Sequence, residues 1–125
     1  MRVLLDTHIV YWWFYETQKV STVAVATIRD ADEVFVSSAS IWEIAIKVRL
    51  GKLRADINRL LELMSANDFQ ELPVLNRHAS LVATMPLHHT DPFDRLLIAQ
   101  AMSEPLHLLT ADTQLEPYSE LVICV

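Results

Sequence analysis

The sequence predicts an α/β domain with a central parallel sheet of about five strands and helices on both faces. Three observations lead there. Strand-length apolar runs alternate with helical stretches along the whole chain, the order that parallel sheets require. The length of 125 residues suits one continuous core, so residues 1–125 are read as a single domain. There are no internal repeats, low-complexity stretches or linkers, and the only glycine, Gly51, excludes glycine-rich phosphate loops and the dinucleotide fingerprint.

Arg2 to Leu5 reads as a buried first strand ending at Asp6, with a helix over Thr7 to Tyr15 packed against it. Ser21 to Ala31 carries a helical stripe of Val23, Ala24, Ile28 and Ala31, and Glu33 to Val36 reads as the second strand. Ser37 to Leu50 is the clearest helix, with a serine-rich start and Gly51 where a helix terminates. Asp56 to Asn67 repeats the stripe through Ile57, Leu60, Leu61 and Met64, followed by a third strand over Phe69 to Leu72. A short helix spans Asn76 to Thr84, and Pro86 to Thr90 is a loop. Asp91-Pro92 then opens a helix to about Ser103, stopped by Pro105. His107 to Thr110 and Leu121 to Val125 complete the strands.

Mean hydropathy of +0.25 is high for a chain of this size, yet no apolar run approaches the ~18 residues that span a bilayer. A membrane protein is not expected. The surplus apolar surface instead implies a homodimer or a tightly bound partner. An acid at position 6 interrupts any secretory signal, and the single Cys124 can form no internal disulfide, which together fit a reducing cytoplasm. The net charge of −6 argues against nucleic-acid binding by bulk electrostatics, unless acids converge where bound cations invert the local field.

The placement of four acids is the most informative feature. Asp6 ends the first strand, Asp112 follows the fourth, and Glu43 and Asp94 sit near the starts of two helices. In an open parallel sheet these ends share one edge, so the four can converge. Such a cluster is self-repelling unless a cation neutralises it. All-oxygen ligation favours hard ions, Mg²⁺ first with Mn²⁺ as substitute, and metals held this way support phosphodiester hydrolysis. Each acid has a plainer reading. Ser40-Ile-Trp-Glu43 fits a capping box; Asp91 fits an N-cap before Pro92; Asp94 near N3 complements the helix dipole; Asp112 fits a turn. Asp6 has the weakest such alternative.

Leu4-Leu5-Asp6-Thr7-His8, Val36-Ser37-Ser38-Ala39-Ser40-Ile41-Trp42-Glu43-Ile44, Asp91-Pro92-Phe93-Asp94-Arg95-Leu96-Leu97-Ile98-Ala99-Gln100-Ala101 and Leu109-Thr110-Ala111-Asp112 resemble, in order, the motifs of VapC-type PIN-domain toxins. The resemblance covers essentially the whole chain. It implies a PIN fold and a Mg²⁺- or Mn²⁺-dependent endoribonuclease in which Asp6, Glu43, Asp94 and Asp112 form the acidic quartet. It also implies an RNA substrate, a small VapB-like antitoxin that blocks the site, and a homodimer. Thr7 and Thr110 match polar positions beside the metal.

Other residues are open to two readings. Tyr11-Trp12-Trp13-Phe14-Tyr15 cannot all face one core, so some are expected to face outward at a dimer or antitoxin interface, with base stacking as a further use. Lys47 and Arg49, with Lys52 and Arg54, form the one basic cluster, either a solvated helix end or a phosphate contact. His88 and His89 lie in the loop before Asp91, with no role that spacing decides. Two rival functions stand beside the nuclease. A phosphoaspartyl phosphatase wants a second Asp where this chain has His8, and a receiver domain wants a late lysine where the last is Lys52. A non-catalytic binding module with the same fold is the other rival.

Overall fold

The computed structural model describes all residues, 1–125. Five strands, β1 (Arg2–Leu5), β2 (Glu33–Ser37), β3 (Phe69–Leu72), β4 (His107–Thr110) and β5 (Val122–Cys124), form one sheet in the order β3-β2-β1-β4-β5. Every pairing is parallel. The helices are α1 (Thr7–Tyr15), α2 (Thr22–Asp30), α3 (Ser38–Arg49), α4 (Ile57–Ala66), α5 (Asn76–Leu81) and α6 (Pro92–Ser103), with short 3-10 turns at Thr17–Lys19, Val82–Thr84 and Thr113–Tyr118. No helix is long and apolar enough to cross a membrane.

Alternation along β1 sends Val3 and Leu5 to one face and Leu4 to the other, and all three are fully buried. Val3 and Leu5 join Ile9 and Val10 of α1, Ile28 of α2, Ile44 of α3 and Leu60 and Met64 of α4. Leu4 joins Leu97, Ile98 and Ala101 of α6 with Leu115 and Tyr118 from the last 3-10 turn. Both faces of the sheet are therefore covered, as a parallel sheet demands.

The helix ends follow from side-chain chemistry. Ser21, Ser37, Asp56 and Asp91 cap α2, α3, α4 and α6 by accepting from backbone N–H groups one turn on. Gly51, at φ +75°, closes α3. Its N–H bonds the Val48 carbonyl at 3.0 Å and the Lys52 N–H bonds that of Lys47 at 2.8 Å, the paired bonds of a Schellman ending.

Several sequence expectations change. Helix α3 begins at Ser38 with Ser37 as its cap, so Glu43 lies beyond the first turn and the Ser40–Glu43 capping box does not form. Val23 leaves its stripe for solvent, because five positions on from it Ile28 has turned about 140° around the helix. The helix over Asn76 to Thr84 tightens to 3-10 after Leu81. The aromatic run is divided between core and surface, with Trp12 lining an open cavity. Tyr11 is buried, and Trp12, Trp13, Phe14 and Tyr15 are each partly covered by the same core. Trp13 and Phe14 both meet Phe69, with ring centroids 6.0 and 5.5 Å apart.

Candidate metal centre

The order β3-β2-β1-β4-β5 places the reversal of the chain between β1 and β4, and the crevice at their carboxyl ends is where open parallel sheets build sites. Asp6 follows β1 there and Asp112 follows β4. The Asp6 N–H donates to the Leu109 carbonyl at 2.9 Å, fixing where the side chain emerges. Thr110 Oγ1 donates to Asp6 Oδ2 at 2.6 Å and accepts from the Asp112 N–H at 3.0 Å, so one hydroxyl joins both acids. Asp6 occupies the N-cap position of α1, yet its carboxylate makes no capping bond. Asp112 does have a second task, accepting from the Gln114 N–H at 2.9 Å.

Helices α3 and α6 bring the other two. Thr7 Oγ1 donates to Ser40 Oγ at 2.9 Å in a buried contact between α1 and α3, one turn before Glu43. Glu43 is 6% exposed, and Lys47 one turn on holds its Oε2 at 3.0 Å. Asp91 accepts from the N–H groups of Phe93 and Asp94, which makes it the cap the sequence suggested and sets Asp94 in the first turn of α6. Asp6, His8, Trp12, Asp94, Ala111 and Asp112 line one cavity of about 360 Å³.

His89 is the member that spacing alone did not identify. Its Nε2 lies 3.0 Å from Asp94 Oδ2, and one ring nitrogen with carboxylate oxygens of Asp94 and Asp112 falls within 4.8 Å of one another. The loop is held in place. Tyr118 Oη accepts from the His89 N–H at 2.8 Å and donates to its carbonyl at 3.2 Å, while buried Arg95 reaches that carbonyl and those of Val82 and Met85. The signal was the run His89-Thr-Asp91-Pro-Phe-Asp94, in which the capping turn folds the imidazole back over the acid. His88 instead packs edge-on against the Tyr118 ring at 5.0 Å. Lys47 and Arg49 diverge, since two positions rotate about 200° around a helix; Lys47 meets Glu43 and Arg49 is exposed without an ion pair.

The electrostatics show what this arrangement lacks. Burial pushes the Asp6 carboxyl up, with Glu43 adding to it, against the lowering effect of the Thr110 hydrogen bond and His8. Burial, Asp6, Asp91 and Glu43 push Asp94 up to about 7, against the His89 hydrogen bond. Asp6 Oδ1 and Glu43 Oε1 are buried with no hydrogen-bond partner. Buried carboxylate oxygens without partners are costly, and a divalent cation among these acids would offset the excess negative charge. The residues therefore fit a hard metal ion.

The PIN-domain family model matches residues 3–121. Ribonuclease VapC22 of Mycobacterium tuberculosis is 31% identical over 118 residues, covering 93% of this chain and 91% of that one. The fold is similar to that of VapBC2 from Rickettsia felis bound to a promoter DNA fragment, with a TM-score of 0.75 at 13% identity, over 100% of this chain and 98% of that chain. It is likewise similar to FitAcB from Neisseria gonorrhoeae, with a TM-score of 0.67 at 17% identity, over 98% of this chain and 96% of that chain. At such identities the two structures speak to fold alone. The chain belongs to the PIN-domain family and, through its likeness to Ribonuclease VapC22, to the VapC-type ribonucleases within it.

Proposed function

We propose that this single PIN domain, residues 1–125, is a Mg²⁺-dependent endoribonuclease, with Mn²⁺ as a working substitute, and the toxin of a toxin-antitoxin pair. The observation that carries the reading is the pair of unpartnered buried oxygens, Asp6 Oδ1 and Glu43 Oε1, in an acid cluster that holds Asp94 near neutrality. Asp6, Asp94 and Asp112 would hold the ion, with Glu43 completing the acidic set and His89 beside it. When bound, the ion supplies Lewis-acid stabilisation of the phosphate and a lowered pKa for bound water.

The chain's own residues prepare that chemistry. Thr110 fixes one oxygen of Asp6 and leaves the other free. Lys47 does the same for Glu43. The Asp91 cap holds the first turn of α6, which fixes Asp94. With its carboxyl pushed up to about 7, Asp94 holds a proton more readily than an ordinary carboxylate, and a cation held there would favour its loss.

The relative named Ribonuclease VapC22 supports RNA as substrate. The similar VapBC2 complex, and a toxin-antitoxin complex from Klebsiella pneumoniae that matches with a TM-score of 0.68, support a VapB-like antitoxin as partner. Trp42 offers such a partner a surface: it is 63% exposed, lies beside Glu43 in sequence and meets the Phe93 ring of α6 at 5.2 Å. A homodimer and a cytoplasmic location complete the proposal, the second fitting the lone free Cys124. The receiver-domain rival has the sheet order 2-1-3-4-5, which this fold does not have.

The test is cleavage of single-stranded RNA by purified protein with Mg²⁺ or Mn²⁺, with EDTA, and as Asp6→Asn. Cleavage that needs the ion and disappears in the variant supports the reading. Cleavage that survives Asp6→Asn belongs to a contaminant, and the non-catalytic binding module then stands.

A further inference from the structure

The chain contains three lysines, Lys19, Lys47 and Lys52, spread over 34 positions of sequence. All three line one cavity of about 330 Å³, together with His8, Tyr11 and Trp12. His8 and Trp12 also line the cavity that contains Asp6, Asp94 and Asp112, so the lysine cavity adjoins the acidic one along that edge. In a protein of net charge −6, all three lysine side chains are gathered beside its carboxylate cluster.

Local structure explains the gathering. The Schellman ending at Gly51 folds the chain back so that the Lys52 N–H meets the Lys47 carbonyl, bringing both residues to the same end of α3. The 3-10 turn Thr17–Lys19 follows directly on α1 and places the Lys19 ammonium 6.0 Å from the Trp12 ring centroid. Lys47 is committed to Glu43. Lys19 pairs with Glu16, which also lines the cavity, at 2.8 Å and in a half-exposed setting, where such a pair contributes little and exchanges readily. Lys52 has no ion pair at all.

We propose that this cavity is a nucleotide subsite for single-stranded RNA, taking a backbone phosphate between Lys19 and Lys52 and a base against Trp12, next to the phosphodiester held at the acid cluster. Cations that track a backbone beside an aromatic face are how sequence-tolerant single-strand sites are built. A focused patch also answers the objection that the net charge raises, because local potential rather than total charge governs where a polyanion docks. The proposal rests on the ribonuclease reading and adds to it the place where the neighbouring nucleotide sits.

The experiment measures binding without cleavage. Asp6→Asn protein in EDTA is titrated with a short fluorescent single-stranded oligoribonucleotide at several salt concentrations, alone and carrying Lys19→Ala with Lys52→Ala, or Trp12→Leu. A polyglutamate peptide of equal charge serves as the second probe, and circular dichroism checks that each variant is folded. We expect the double lysine variant to flatten the dependence of log affinity on log salt by about 0.7 for each lysine. Trp12→Leu, which keeps apolar packing, should weaken RNA binding about tenfold. RNA affinity and salt slope unchanged in the folded variants would overturn the subsite, as would polyglutamate binding as tightly as RNA, which would assign the cavity to an acidic protein segment. Cleavage by the wild-type protein is read separately, so loss of the subsite and loss of the nuclease reading are distinguishable.

Discussion

Thr110 Oγ1 and Asp6 Oδ2 stand 2.6 Å apart across 104 positions of sequence, and their hydrogen bond ties the ends of the two strands that flank the site. It orients one buried carboxylate oxygen and leaves the other without a hydrogen-bond partner. Thr110→Val keeps the shape and removes the hydroxyl, orphaning both Asp6 oxygens and the Asp112 N–H. We expect a loss of about 1–3 kcal/mol of stability and a fall of about 10–100-fold in metal affinity. Thr110→Ser should restore most of both, as measured by chemical denaturation and calorimetric titration.

Stability of the ion-free protein should depend on pH in a definite direction. Burial and the neighbouring Asp6 push the Asp94 carboxyl up to about 7 from its ordinary value of 3.8. Between those values the folded state binds a proton that the unfolded state does not, so this group's contribution to stability falls as pH rises from about 4 to about 7. Above that window the penalty is fully present and constant. Asp94→Asn should flatten the fall and raise the thermal midpoint of the metal-free protein at pH 8. Saturating Mg²⁺ should do the same for the wild type.

His89 should govern which ion is preferred. Imidazole nitrogen suits transition metals, whereas Mg²⁺ favours oxygen, and His89 reaches the Asp94–Asp112 pair. His89→Ala is expected to weaken Mn²⁺ binding more than Mg²⁺ binding. Titration calorimetry with each ion measures the ratio, and an unchanged ratio removes His89 from the metal centre.

A separate buried histidine provides a control. His78 is fully buried, its Nδ1 accepts from the Leu75 N–H at 3.0 Å, and its Nε2 lies 2.7 Å from Glu104. His78→Leu removes both contacts and should cost about 2–3 kcal/mol while leaving metal affinity unchanged.

The strands were legible because apolar runs that stop at an acid are local signals, and the placement of Asp6, Asp94 and Asp112 along one cavity follows from the sheet edge those runs define. The extent of α3 was legible, but which serine caps it was not, because Ser37, Ser38 and Ser40 are interchangeable as caps in one dimension; Ser37 takes the role and the Ser40–Glu43 box does not form. That the aromatic run is shared between core and surface follows from helix geometry, but which members are covered does not, because Phe69, supplied by a distant strand, cannot be foreseen beside Trp13 and Phe14. The pairing of His89 with Asp94, and the convergence of Lys19 on the basic cluster that contains Lys47 and Lys52, were hidden for the same reason. Their meaning depends on a capping turn and a Schellman ending that fold side chains back over residues not adjacent in sequence.

At the proposed metal centre a cation would replace a proton of the acid cluster. Calorimetric titration of Mn²⁺ at pH 7 in two buffers of different ionisation enthalpy counts the protons released on binding. The account predicts net release from the wild-type protein and markedly less from Asp94→Asn. Mn²⁺ binding with no proton released, or no binding at all, would contradict it.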